Sequence, residues 1–330
     1  MASSRHLVDP ELLTTLDQLP AQPLTLEALP KMRADQAKLL AEQLALEPAF
    51  PEVAVSEHRI PGPNGAPNVR VVFNRPVSAS GPLPVLVWIH GGGYVLGAPE
   101  SDSLLIKTLV REVGCAVVNV DYRLAPEAPS PAGVEDCYAA LKWTHEQAEA
   151  LGLDPTRVAI GGSSAGGGLA AALGLLARDR GALPISFQVL LVPMLDDRTV
   201  ESTDPHPYTG EFAWTHAKNR VGWTAQLGQA PGGKDVSPYA APARAESLAG
   251  LPPTYIATGS LDLFLEEDLD FARRLTRAGV HTELHVYPGA YHGFSRAASA
   301  RVSQVYRRDW FAALQRAFET APVPQPVAIG

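Results

Sequence analysis

Residues 157–168 read Arg-Val-Ala-Ile-Gly-Gly-Ser-Ser-Ala-Gly-Gly-Gly. A short β-branched run is driven directly into a glycine-rich turn with a hydroxyl at its apex. A strand can reverse this sharply only where small residues flank the apex, and the pattern G-x-S-x-G leaves the serine Oγ exposed on a strained backbone. The glycines choose between the two adjacent serines. A turn centred on Ser163 would need glycine at Ala165, whereas one centred on Ser164 finds Gly162 and Gly166. Ser164 is therefore the candidate nucleophile. A Gly/Ser cluster after a strand is more often an ordinary turn, so the reading depends on what the rest of the chain supplies. An elbow of this kind requires an oxyanion-binding loop upstream, then an acid and a histidine downstream in that order.

Upstream, Pro84-Val85-Leu86-Val87-Trp88-Ile89 is a short apolar run of buried-strand type and ends in His90-Gly91-Gly92-Gly93-Tyr94. Three successive glycines remove every Cβ where backbone N–H groups must face a substrate oxygen. The expected donors are the amides of Gly91 and Gly92, joined by that of Ala165 from the elbow; one such donor typically stabilises a transition state by about 2.7–4 kcal/mol.

Downstream, three histidines compete for the role of base. His285 lies within the alternating strand Thr282–Tyr287 and reads as a sheet-face residue, while His281 sits at the approach to that strand. His292 falls in the loop just beyond it, in Tyr291-His292-Gly293-Phe294, where a general base has room to work. For the acid, Asp262 follows the apolar strand Thr254–Gly259. Glu266, Glu267, Asp268 and Asp270 alternate with Leu263, Phe264, Leu265, Leu269 and Phe271 in the manner of an amphipathic helix, and most of those carboxylates are expected on its solvated face. Asp262 is the choice to hold the imidazole tautomer, with Glu266 as runner-up.

These motifs together resemble the hormone-sensitive-lipase-like family of α/β-hydrolases, in its bacterial carboxylesterase branch. The family's HGGG signature with a fourth glycine matches His90–Gly93 and Gly97, and its Y-R-L-A-P-E stretch matches Tyr122–Glu127. An H-G-F signature matches His292-Gly293-Phe294, and the likeness runs over roughly residues 83–300. Two segments depart from the pattern. The usual G-D-S-A-G-G elbow carries Ser163 in place of the acid, and the usual D-P-L-R-D stretch keeps only Asp262 in Asp-Leu-Phe-Leu-Glu. The resemblance implies an α/β-hydrolase fold with a helical cap, hydrolysis of carboxylic esters without cofactor or metal, and structural support from Tyr122–Glu127.

The rest of the chain agrees. Strands expected near 83–89, 116–120, 157–161, 185–192, 253–258 and 282–287 alternate with helical patterns, which calls for a mainly parallel sheet covered on both faces. An antiparallel hairpin is expected over 51–75 around Pro61–Gly65. Residues 1–50 hold two expected helices, one capped by Asp9-Pro10 ahead of Leu12, Leu13 and Leu16, the other with an apolar face at Leu39, Leu40 and Leu44. Residues 196–248 interrupt the alternation with Tyr208, Phe212, Trp214, Trp223 and Tyr239 among prolines and glycines. That insertion and residues 1–50 are expected to form a cap over core segments 51–195 and 249–330.

A net charge of −8 argues against a nucleic-acid partner. No long apolar segment suits a membrane span, and the start Met1-Ala2-Ser3-Ser4-Arg5-His6 lacks a secretory apolar region. Cys115 and Cys137 lack CxxC spacing and read as small buried hydrophobes of a reduced, cytoplasmic chain. Neither glycine cluster fits a P-loop or a dinucleotide fingerprint, and no H-E-x-x-H or Cys/His cluster suggests zinc. The expected partner is a small-molecule ester, and a homodimer stays open. A ligand receptor on the same fold is the alternative from another class, but such receptors can lose triad residues that are all present here. An amide or N-acyl hydrolase would use the same groups.

Overall fold

The computed structural model describes residues 3–19 and 22–320. Met1, Ala2 and the last ten residues of the 249–330 segment lie outside it. The strands are β1 Val53–Ile60, β2 Val69–Pro76, β3 Leu83–Ile89, β4 Ala116–Asp121, β5 Leu153–Ser163, β6 Phe187–Leu191, β7 Thr254–Gly259 and β8 Thr282–Tyr287. The helices are α1 Leu13–Asp17, α2 Leu29–Ala45, α3 Ser103–Val113, α4 Ala132–Glu146, the single turn α5 Ala148–Leu151, α6 Ala165–Arg180, α7 His216–Leu227, α8 Leu265–Arg277 and α9 Arg301–Glu319.

The strands form one sheet in the order β1-β2-β4-β3-β5-β6-β7-β8. The expected hairpin is β1 and β2, paired antiparallel from Val53↔Pro76 to Ile60↔Val69, and β2 is antiparallel to β4. All later pairings are parallel. A parallel strand covered on both faces needs apolar side chains on both, and every residue of β3 is buried. Val85, Val87 and Ile89 face one core with residues of α4 and α6; Leu86 and Trp88 face the other with α3 and α9, where Trp88 stacks on Trp310 at 5.7 Å. The carboxyl ends of β3, β5, β7 and β8 open onto one edge of the sheet, where ligands of open α/β sheets bind.

The N-terminal region departs from expectation in one respect. Asp9 caps its turn through the Glu11 amide, and Leu12 and Leu16 are buried as the pattern required. In α2, however, Leu39 and Leu44 face solvent, and Leu29 is the buried residue. The inward face is Leu29, Met32, Arg33 and Gln36 instead, at the i, i+3, i+4, i+7 spacing of one helical stripe. Polar grips fix that rotation. The Arg33 guanidinium donates to Val95 O, Ala125 O and both carboxylate oxygens of Glu127, at 2.7–3.0 Å, and the Gln36 side chain accepts from the Gly97 amide. Among the described residues no helix is long and apolar enough to cross a membrane.

Candidate active site

The turn after β5 shows why the glycines stand where they do. Ser164 adopts φ 59° and ψ −121°, a conformation that costs a non-glycine residue on the order of 1–3 kcal/mol and persists only where its surroundings enforce it. Here its amide donates to Leu191 O, and its carbonyl accepts from the amides of Gly168 and Met194. A Cβ on Gly162 would lie 2.4 Å from Gly166 O, and one on Gly166 would lie 2.0 Å from Ile89 O. Both positions are closed to any side chain by backbone rather than by movable groups. The next glycines, Gly167 and Gly168, let α6 press against Pro193 and Met194 in the same way.

The loop after β3 approaches the turn from the neighbouring strand. A Cβ on Gly91 would meet Ser163 O at 2.9 Å and Ser164 Cβ at 3.4 Å, so this backbone lies against the serine. Gly92 has φ +130°, and Gly93 gives its space to the Trp214 indole. Among the described residues the amides of Gly91, Gly92 and Ala165 have no backbone or side-chain acceptor. Ala165 is the first residue of α6, whose N-terminal end carries the positive part of the helix dipole. Three unengaged donors therefore lie around Ser164.

His90 determines how that loop is turned. Its ring is fully buried, stacks on Tyr122 at 4.4 Å, and its Nδ1 lies 2.8 Å from Gly91 O. Burial holds the imidazole below its ordinary pKa, so the ring is neutral and Nδ1–H donates to the carbonyl. Because the Gly91–Gly92 peptide is planar and trans, holding its oxygen on one side aims the Gly92 N–H to the other. A Cβ on Gly97 would fall 2.4 Å from Gly91 O and 2.5 Å from His90 Nδ1, so the fourth glycine makes room for this bond. Tyr122 also donates from its hydroxyl to His90 O. His90→Ala is expected to lower kcat by roughly 10–100-fold, short of the full loss of one oxyanion donor. Steady-state kinetics on a soluble ester would measure it, and an unchanged kcat would leave the loop's aim independent of His90.

Three side chains from three strand ends meet at the serine. Ser164 Oγ lies 3.0 Å from His292 Nε2, and His292 Nδ1 lies 2.8 Å from Asp262 Oδ2. Asp262 is fully buried, and its Oδ1 accepts from the Phe264 amide at 3.0 Å. Phe264 meets the His292 ring edge-on at 5.1 Å. The competitors lie elsewhere. His285 is held by Glu283 on β8 at 2.8 Å beside Tyr255 and Tyr287, His281 is exposed, and Glu266 is exposed on α8.

Two carboxyls of that helix depart from expectation. Glu267 and Asp268 are buried rather than solvated. They share the inward stripe of Phe264 and Phe271, a placement legible in the i, i+4, i+7 spacing had polarity not been weighed above periodicity. Glu267 accepts from the amides of Leu195 and Asp196 and from Thr199 Oγ1, which pins the start of the 196–248 insertion to the helix. Among the described residues Asp268 has no hydrogen-bond partner for either oxygen. Thr258 Oγ1 is close enough to favour the charged form, but not in hydrogen-bonding geometry, and is itself unpartnered. Burial pushes the Asp268 carboxyl well above the usual range, and the nearby Glu267 and Asp262 add to this. An acid raised in the folded state keeps its proton where the unfolded chain, titrating near pH ~3.9, has released it. Its contribution to stability is therefore full below that value and declines as pH rises toward the folded pKa. Histidines held below their ordinary pKa, such as His90, act in the opposite sense and the buried Glu267 in the same one, so the effect is read as a difference. Between pH 5 and pH 8 the urea midpoint of the wild type is expected to fall relative to that of Asp268→Asn. Parallel pH dependences of the two proteins would contradict it.

The site opens into a cavity of about 420 Å³. Its walls combine Leu24 and Met32 from residues 1–50 with Ala213, Trp214 and Lys218 from the insertion. Of the insertion's aromatics, Trp223 is buried against Tyr94, Phe212 packs on Tyr291, Tyr208 is exposed and Tyr239 donates to Asp179 on α6, which leaves Trp214 as the one that lines the cavity. Lys218 and Arg296 were not among the residues singled out in the sequence, and Trp214 was named there only as one of five aromatics, because no local pattern marks which side chain of a loop or helix turns toward a cavity.

A family model described as the alpha/beta hydrolase fold matches residues 86–296. The carboxylesterase NlhH of Mycobacterium tuberculosis is 36% identical over 298 residues, covering 88% of this chain and 90% of its own. Among solved structures, a bacterial heroin esterase superposes with a TM-score of 0.90 at 43% identity, over 96% of this chain and 99% of that one. The esterase LipW from Mycobacterium marinum does so with 0.84 at 37% identity, over 96% and 98%.

Proposed function

The chain belongs to the α/β-hydrolase family and is a carboxylic ester hydrolase, and from that premise we propose that it cleaves short- to medium-chain acyl esters through Ser164, His292 and Asp262. The observation that carries this reading is the continuous hydrogen-bonded line from Ser164 Oγ through both ring nitrogens of His292 to the buried Asp262. A carboxylate on Nδ1 fixes the tautomer with a free Nε2 lone pair facing the serine. Ser164 Oγ attacks the acyl carbon as its proton passes to His292 Nε2, and the carbonyl oxygen takes the negative charge. The amides of Gly91, Gly92 and Ala165 stabilise that charge without reorganising, because the elbow and the His90 grip already hold them. The imidazolium then protonates the leaving alcohol oxygen as the C–O bond breaks, giving an acyl-enzyme. Water attacks the acyl carbon with His292 again as base, and the acid and free serine are released.

The preference for modest acyl chains rests on the cavity. Residues 1–50 and 196–248 act in this reading as a cap, and Trp214 together with α2 limits the depth available. Each buried methylene adds only about 0.8 kcal/mol, while overfilling can cost about 1–3 kcal/mol. In a series of p-nitrophenyl esters, kcat/KM is expected to peak between roughly two and eight acyl carbons and to exceed the rate on emulsified triglyceride. Faster turnover of long-chain emulsions, with activation at the interface, would overturn this assignment.

A further inference from the structure

The cavity holds two cations that the reaction as derived does not use. Arg296 follows His292 by one turn of chain and lines the pocket, and its guanidinium has no hydrogen-bond or ion-pair partner among the described residues. Lys218, on α7, lines the same space and spends its Nζ on the Ala213 carbonyl at 2.7 Å, with no ion-pair partner among the described residues. Among the described residues the acid on the cavity wall is Asp102, whose Oδ2 already accepts from Trp88 Nε1 at 2.7 Å. Burial holds the Asp102 carboxyl above its ordinary pKa and Lys218 below its own; Arg296 works against the first shift, favouring the charge on Asp102, and adds to the second, disfavouring the charge on Lys218. The balance is unusual for this molecule. A chain of net charge −8 presents, beside its candidate nucleophile, a half-buried Lys218 and a solvent-exposed Arg296 with no ion-pair partner among the described residues. The acid on the wall, Asp102, feels the charge of Arg296 but is bonded to the Trp88 indole.

Resting on the reading of this pocket as an ester-hydrolase site, we propose that it selects esters bearing a free carboxylate, which Arg296 binds with Lys218 as a second positive charge. The guanidinium fork matches a carboxylate in two parallel bonds, and such charge-assisted pairs are stronger than neutral ones. The bare Arg296 would gain this partner on binding, and the repulsion between Arg296 and Lys218 would be relieved. The pocket's apolar residues, Leu24, Met32 and Leu96, take the hydrocarbon between carboxylate and ester. The carboxylate can belong to the acyl part, as in a monoester of a dicarboxylic acid, or to the alcohol part, as in an acylated hydroxy acid.

Two matched pairs separate these sources. Mono-p-nitrophenyl glutarate against p-nitrophenyl pentanoate tests the acyl side, and 4-acetoxybenzoate against 4-methylphenyl acetate tests the alcohol side. In at least one pair the acid-bearing ester is expected to have a kcat/KM at least tenfold above its neutral partner, gained through KM. Arg296→Gln should lower that ratio about tenfold, Arg296→Lys should restore part of it, and added salt should weaken it. Neutral esters preferred in both pairs, or a ratio that Arg296→Gln does not move, would overturn the proposal. Binding of glutarate to the Ser164→Ala protein, measured by calorimetry, decides the charge preference without turnover. Binding weakened tenfold or more by Arg296→Gln supports the cation site even if no ester is cleaved, in which case the hydrolase reading alone fails. Glutarate binding that is absent or indifferent to Arg296→Gln counts against the site whatever the esters do.

Discussion

Ser164→Ala is expected to lower kcat by about 10⁵–10⁶-fold, the scale on which removing the nucleophile of such a triad acts, while leaving the thermal midpoint close to wild type. The fold should survive because the elbow is held by backbone bonds from Ser164 to Leu191, Gly168 and Met194, none of which involves the hydroxyl. Alanine also keeps the Cβ already accommodated at φ 59°. Ser163→Ala is the control. Ser163 closes β5 in register with Leu191, one residue before the apex, and its loss should change kcat by less than about tenfold. A fluorophosphonate probe should label wild type and Ser163→Ala but not Ser164→Ala. The reverse labelling pattern would show that the glycine register had been misread.

Asp262→Asn should be nearly as damaging, at about 10⁴-fold in kcat, for a different reason. The amide would still pack in the same buried space and could still accept from the Phe264 amide. Its NH₂ cannot accept from His292 Nδ1–H, however. It would donate to Nδ1 instead, leaving the proton on Nε2, where the ring can no longer take one from Ser164. A loss confined to kcat, with KM little changed, is the expected signature. Glu266→Gln on the exposed face of α8 should have almost no effect. If Glu266→Gln were the damaging change and Asp262→Asn the silent one, the acid of the triad would have to be reassigned.

How far the chain can be read from its letters depends on how local the controlling physics is. The elbow was legible because its glycines answer to contacts within a few residues or with the adjacent strand. The Gly166 carbonyl excludes a side chain at Gly162 across the turn, and Ile89 O closes both positions from the neighbouring strand. The strands were legible because burial on two faces demands unbroken apolar runs, and β3 is such a run. Chain order then distinguished the three histidines, since only His292 lies beyond the end of β8 and at the rim of the sheet where the serine emerges. His90 was legible as part of a glycine motif, although its bond to Gly91 O and the room that Gly97 leaves for it were not.

Apolar spacing did not decide which way α2 turns. Leu39 and Leu44 looked like a buried stripe, yet Arg33 holds the helix by carbonyls near Val95 and Ala125, partners some sixty and ninety residues away whose position is set by the sheet. Polarity likewise misplaced Glu267 and Asp268, because a carboxyl can be buried when the fold supplies amide donors, as for Glu267, or when burial raises its pKa and favours the neutral form, as for both. Lys218 and Arg296 belong to segments with no common pattern and come together only in the fold, where both line the same cavity. By itself, then, the sequence determined the strand alternation, the elbow and the residues able to surround it, all governed by short-range sterics and burial. The tertiary structure alone decided the rotation of α2, the burial of the α8 carboxyls and the positive lining of the cavity, because each depends on groups brought together across the fold by long-range packing.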